Sequence, residues 1–140
     1  MRPLSGANRK PEVAARNTAR RSSSLPRTER IQRSADFKRA YQQRKRWVGQ
    51  FMVLWRATTH EAQLRVGIVT SKKVGGAVQR NRARRKLREA WRQNKARFKG
   101  HYDIVLVARR KCVNAKPEEI ENELRALAHK AGLQPQKDVE

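Results

Sequence analysis

Acidic residues are scarce: 12 Asp and Glu stand against 35 Lys and Arg in 140 residues, a formal charge of +23. A nuclease acting alone would need clustered carboxylates for metal ions, or a His/Lys pair for acid–base work. Here Asp36, Glu61, Glu89 and Asp103 are scattered through helix, turn, helix and strand edge, where each reads as a cap or a partner for arginines. His60, His101 and His129 are equally dispersed and read as exposed side chains. No residue is expected to be catalytic, and no metal or other cofactor is expected on the protein alone. Cysteine occurs once, as Cys112, which excludes an internal disulfide and a thiolate zinc cage and fits a reducing cytoplasm. Long apolar runs are also missing. The longest, residues 51–55 and 104–108, suit buried strands and fall far short of a bilayer span, so a soluble protein is expected.

What is abundant is positive charge, and it is concentrated. Residues 80–89 read R-N-R-A-R-R-K-L-R-E, with Arg80, Arg84 and Arg88 at i,i+4 spacing, where like charges disfavour a helix. Arg92, Lys95, Arg97 and Lys99 continue the run, and Glu89 is its single acid. Solvated helices interleave signs; this one is left with repulsion that a polyanion relieves. Asn81 adds an amide able to donate and accept among phosphates and sugars. Lys72, Lys73, Gly75 and Gly76 form a basic, flexible entry to this helix. No G-x-x-x-x-G-K-[ST] pattern is present, so nucleotide hydrolysis is unsupported and the glycines read as a tight turn.

The first thirty residues hold Arg, Ser and turn formers with almost no large apolar side chain, and are expected to be a disordered basic arm, 1–30. Its composition also suits an organelle transit peptide, but no amphipathic stripe is visible. Within the expected domain, 31–132, Ser34 is placed to cap a helix running from residue 35 to 43, with Asp36 in the first turn and Phe37 and Tyr41 on one face. Two strands follow at 51–55 and 64–70, separated by a polar break at 58–63, and read as neighbours. In the first, Phe51, Val53 and Trp55 alternate with Met52 and Leu54, so neither face is plain solvent. The long helix starts near Ala77 or Val78, and a helical wheel puts Ala83, Leu87, Ala90, Trp91, Asn94 and Phe98 on one narrow stripe. A strand at 102–108 and a helix opened by Pro117, Glu118 and Glu119 complete the set, the latter with an apolar face of Ile120, Leu124, Leu127, Ala128 and Ala131 before Gly132. Residues 133–140 read as a flexible tail. The order helix, strand, strand, helix, strand, helix, with room for a short strand at 44–49 or 68–74, describes a small α/β two-layer sandwich.

Phe37 and Tyr41 have two readings. An i,i+4 aromatic pair is usually a core-facing stripe. Amid Lys38, Arg39, Arg44, Lys45 and Arg46, it also forms a stacking platform for unpaired bases.

Residues 65–89, R-V-G-I-V-T-S-K-K-V-G-G-A-V-Q-R-N-R-A-R-R-K-L-R-E, closely resemble the signature of the protein subunit of bacterial ribonuclease P. The similarity extends from Asp36-Phe37 to the final helix near Lys130 and leaves the arm outside. The resemblance implies a cytoplasmic ribonucleoprotein that removes the 5′ leader of precursor tRNA, with the RNA subunit and its Mg2+ ions performing the hydrolysis. It implies that Lys72, Lys73, Arg80, Asn81, Arg82, Arg84, Arg85 and Arg88 contact the catalytic RNA. It also implies a leader-binding cleft built from Phe37 and Tyr41 and, less directly, Met52, Leu54 and Val69. The family fold adds a mixed sheet in which the Arg-rich helix joins two parallel strands by a left-handed crossover, against the usual right-handed rule. No membrane and no obligate protein partner are implied. A ribosomal or nucleoid structural protein, using the same charge without substrate turnover, is the competing class.

Overall fold

The Arg-rich segment forms a helix because one stripe of it can be buried while the rest stays wet. A computed structural model describes residues 25–59 and 64–133, and in it helix α2 spans Ala77–Asn94. Ala83, Leu87, Ala90, Trp91 and Asn94 are its buried residues, and Phe98, just past its end, packs on Trp91 with ring centroids 5.1 Å apart. The wheel expectation therefore holds residue by residue. Around it lie α1 (Ser34–Gln42), α3 (Pro117–Lys130) and four strands, β1 (Arg46–Val48), β2 (Met52–Thr58), β3 (Arg65–Val69) and β4 (Tyr102–Ala108).

The sheet order is β1-β2-β4-β3. β2 pairs antiparallel with β1 and β4, matching Leu54 to Trp47 and to Leu106, while β3 pairs parallel with β4, matching Ile68 to Leu106. The strands expected at 51–55 and 64–70 are thus not the neighbours that their closeness in sequence predicts. β4 returns through α2 and inserts between them. This makes a mixed α/β sheet, with β1 fulfilling the expected extra strand at 44–49.

Alternation along the strands divides the core in two. Met52, Leu54, Ile104, Leu106 and Val66 face α2 and α3 and are buried with Leu87, Trp91, Ile120 and Leu124. Ala57 and Val105 face the opposite way and are covered by Ile31 and Ala40, with Phe37, Tyr41, Trp55, Val69 and Val107 only partly buried around them. The sandwich of sheet against α2 and α3 is complete; α1 covers only part of the other face.

Both expected domain boundaries move outward. Leu25 is buried in the core, residues Arg27–Glu29 form a 3-10 turn, and Arg30 makes a parallel bridge with Val66. At the other end Leu133 is fully buried, accepts a hydrogen bond from the Lys99 N–H at 2.6 Å and donates to Ala128 O at 2.9 Å. Residues 25–30 and 133 therefore belong to the domain, not to arm or tail. The remaining arm, 1–24, the tail, 134–140, and residues 60–63 with His60 and Glu61 lie outside the described residues. Ser34 is the first residue of α1 rather than its cap; Arg33 holds the cap position and no side chain bonds there.

Two carboxylates staple the sheet to its helices. Glu123 of α3 accepts the backbone N–H groups of Gln50, Phe51 and Met52 at 2.6, 2.8 and 3.0 Å, fixing the β1–β2 turn. Asp103 of β4, fully buried, accepts from Arg39 Nη2 at 2.8 Å and from Arg65 Nε and Nη2 at 2.8 and 2.7 Å. Asp36 lies 3.5 Å from Arg39 and 3.4 Å from Arg65, closing a four-membered charge cluster that ties α1 to the sheet.

Candidate nucleic-acid interface

The N-terminal half of α2 presents its cations with little neutralisation. Gly75, at a φ of 144°, supplies a backbone turn that other residues rarely adopt, and its carbonyl accepts from Arg80 Nη1 at 2.9 Å. Arg84 is held from two sides, donating to Asn81 Oδ1 and to Thr70 Oγ1, each at 2.8 Å. Asn81 thus orients an arginine, a role that its place in the sequence did not disclose. Arg82, Arg85 and Arg88 are exposed, as are Lys72 and Lys73 in the turn before the helix. Partial desolvation holds the Arg88 guanidinium below its ordinary proton affinity, and Arg84, Arg30 and Arg85 push it the same way. Glu89 offers no relief, because Arg92 at 2.5 Å and Gln93 at 3.0 Å engage it from the far side. That engagement, Arg92's hydrogen bond above all, lowers the Glu89 carboxyl's pKa.

The second surface is the part of the sheet that α1 leaves open. Ser34, Phe37, Lys38, Tyr41 and Val69 line a shallow cleft of about 400 Å3. Tyr41 meets Trp55 edge-on at 4.9 Å, and Arg46 lies over the Trp55 ring at 5.4 Å. Partial burial raises the pKa of the Tyr41 hydroxyl. The exposed Val48 pairs with Val53, itself half-buried like Val107, and the three form an aliphatic strip on the same sheet face. Phe37 is pressed onto Gly67, where an added Cβ would stand 2.4 Å from the ring.

Met52 and Leu54 do not belong to this cleft. Both are fully buried on the opposite face against α2 and α3. The residues of β2 that face α1 are Val53, Trp55 and Ala57, and Trp55 is the aromatic that sequence reasoning left out. Its alternation partner Val53 carried the signal, but both faces of the strand are apolar and the phase could not be chosen.

Among the described residues no three His, Cys, Asp or Glu side chains cluster closely enough to share a metal ion, and no helix is long and apolar enough to cross a membrane. Cys112 is buried, and burial pushes its thiol up to about 11.

A mixed α/β fold carrying an unneutralised cationic helix beside an aromatic cleft defines a small nucleic-acid-binding protein. The ribonuclease P family model matches residues 25–132. Relatives include the ribonuclease P protein components of Alkaliphilus oremlandii, 36% identical over 104 residues covering 74% of this chain and 91% of that protein, and of Clostridium novyi, 36% identical over 111 residues covering 78% and 98%. Among solved structures, the Staphylococcus aureus RNase P protein is similar with a TM-score of 0.67 and 30% identity, covering 76% of this chain and 98% of that one. The Thermotoga maritima RNase P protein gives a TM-score of 0.66 at 26% identity, covering 73% and 96%. The chain belongs to the ribonuclease P protein family.

Proposed function

We propose that the chain, as a ribonuclease P protein component, binds the enzyme's RNA subunit through α2 and takes the single-stranded 5′ leader of precursor tRNA into the cleft beside α1. In this reading it works in the bacterial cytoplasm and does not itself cut. The observation that carries it is the pairing of two surfaces on one sheet: an arginine face that no acid among the described residues neutralises, and an open apolar cleft lined by Phe37, Tyr41 and Val69, with Trp55 edge-on against Tyr41. The first suits phosphates; the second suits unstacked bases.

Magnesium belongs to the RNA in this reading. The two carboxylates on the α1 side of the sheet, Asp36 and Asp103, are both held by Arg39 and Arg65 and do not fit a metal-ligand role. What the chain contributes is reduced repulsion between two polyanions and alignment of the substrate strand, which raises reactivity by positioning.

Reconstitution tests this. Added to the cognate RNA subunit at low magnesium, the protein should raise cleavage of precursor tRNA, more so for substrates with a leader long enough to fill the cleft. Purified free of nucleic acid it should cleave nothing. Cleavage by the protein alone, or no effect on the RNA subunit, overturns the reading.

A further inference from the structure

Residues 30 and 31 run beside the outer edge of β3, where the Ile31 N–H donates to Val66 O at 3.0 Å. Extended backbone sends successive side chains to opposite faces. Ile31 is buried on the α1 side, and Arg30 turns towards α2. There it meets Arg84 and Arg88, which stand one turn apart, around a pocket of about 160 Å3 that Phe37 and Leu25 also line.

Among the described residues no acid borders this pocket, and none of the ion pairs involves Arg30, Arg84 or Arg88. Among the described residues, neutral oxygens of Asn81 and Thr70 brace Arg84. Partial desolvation first, and then the charges of Arg84, Arg30 and Arg85, lower the proton affinity of Arg88, in keeping with the three pocket arginines lying close together. Three guanidinium groups held around a small opening at a sheet edge repel one another, and an oxyanion between them reverses the sign of that energy. The pocket also has a direction. Phe37 borders it on one side and the aromatic cleft on the other, so it bridges the two faces of the sheet.

We propose that this pocket is a phosphodiester subsite, in which Arg30, Arg84 and Arg88 hold a backbone phosphate of an RNA strand crossing the edge of β3 between the aromatic cleft and the cationic face of α2. The base attached to that phosphate lies within reach of Phe37. The subsite rests on the RNA-binding reading above and gives residue 30, outside the signature segment, a part in it.

The test uses the full chain with Arg30→Gln, Arg88→Gln, the double variant and Arg30→Lys, each checked by thermal melting. The Arg30 side chain is exposed and its bridge to Val66 is made by backbone, so R30Q should fold. Affinity is measured against salt for the RNA subunit alone, and in the holoenzyme for precursor tRNA with and without its leader. Each single variant should weaken binding about tenfold, as expected for a charge-assisted contact. Each should also lower the slope of log affinity against log salt by about 0.7–0.9. The double variant should lose little more than the worse single, because both arginines serve one phosphate. R30K should restore the slope while recovering only part of the affinity. A loss confined to leadered substrate assigns the phosphate to the leader; a loss with the RNA subunit alone assigns it there. Unchanged affinity and slope in R30Q, or losses that simply add, overturns the subsite. A wild-type protein that fails to activate the RNA subunit at all sinks the proposed function instead, so the two failures are distinct.

Discussion

Gly67→Ala is the smallest change that separates a core role for Phe37 from a binding role. Gly67 is buried in β3 with the Phe37 ring directly over it, so a methyl group there would stand 2.4 Å from Cε1 and 2.6 Å from Cζ. Carbon atoms settle at about 3.5–4.0 Å, so the ring must withdraw by about 1 Å. Overpacking of this kind costs about 1–3 kcal/mol, and the ring's exposure to an open cleft puts the change at the lower end. A loss near 1 kcal/mol lowers Tm by about 4–8 °C in a domain of this size. α1 itself stays in place, because Asp103 anchors it through Arg39. Only the cleft wall moves. If bases stack on that wall, misplacing it forfeits about 1 kcal/mol, or about fivefold in leader-dependent affinity. The assay is a melt together with holoenzyme affinity for leadered and leaderless precursor tRNA. Equal losses on the two substrates would refute the binding role, and an unchanged melt would refute the packing.

Two further perturbations test the scaffold. Asp103→Asn removes the buried charge facing Arg39 and Arg65, and leaving guanidinium groups short of a partner should cost about 3 kcal/mol, read as a shift in urea midpoint; a change below about 1 kcal/mol would show that Asp36 suffices. Cys112 titrates in the opposite sense to a paired carboxylate: its thiol loses a proton near 9.0 when unfolded but only at about 11 when folded. The unfolded state therefore binds fewer protons between those values, and stability falls by about 2 kcal/mol as pH rises through that window, being intact below it. Cys112→Ala should flatten this fall relative to wild type in urea midpoints taken at pH 8, 9 and 10.5; parallel curves would argue against a buried thiol.

How much the sequence discloses depends on how many arrangements each segment's chemistry permits. α2 admits one: with charge on every other side, only the stripe from Ala83 to Phe98 could be buried, and it is. α3 is similar, its Ile120, Leu124, Leu127, Ala128 and Ala131 all buried. β2 admits two phases because it is apolar on both faces: Met52 and Leu54, which the resemblance implies for the cleft, pack against α2 and α3, and Trp55 and Ala57 are the ones turned to the α1 side. Leu25 and Leu133 are single apolar residues in polar stretches, where no period exists to read, so the expected domain, 31–132, stops short of both. Glu123 bonding to residues 50–52, and β4 separating β2 from β3, join parts of the chain that share no local signal.

The distribution of acids explains why so cationic a helix is tolerated. Among the described residues, Glu29 pairs with Lys95, Asp36 and Asp103 with Arg39 and Arg65, Glu89 with Arg92, and Glu121 with Arg125. Glu119 caps its own helix through the Lys116 N–H, and Glu123 holds the β1–β2 turn. Negative charge is thus engaged in tying elements together or within the C-terminal half of α2 and in α3, and among the described residues is withheld from the N-terminal half of α2. The resulting i,i+3 and i,i+4 repulsions, at a few tenths of a kcal/mol each, total about 1–2 kcal/mol. Burying Leu87 alone offsets about that much, before Trp91 and the alanines are counted. A helix secured by one buried stripe can leave its outer face uncompensated, and that face keeps its charge for a polyanion.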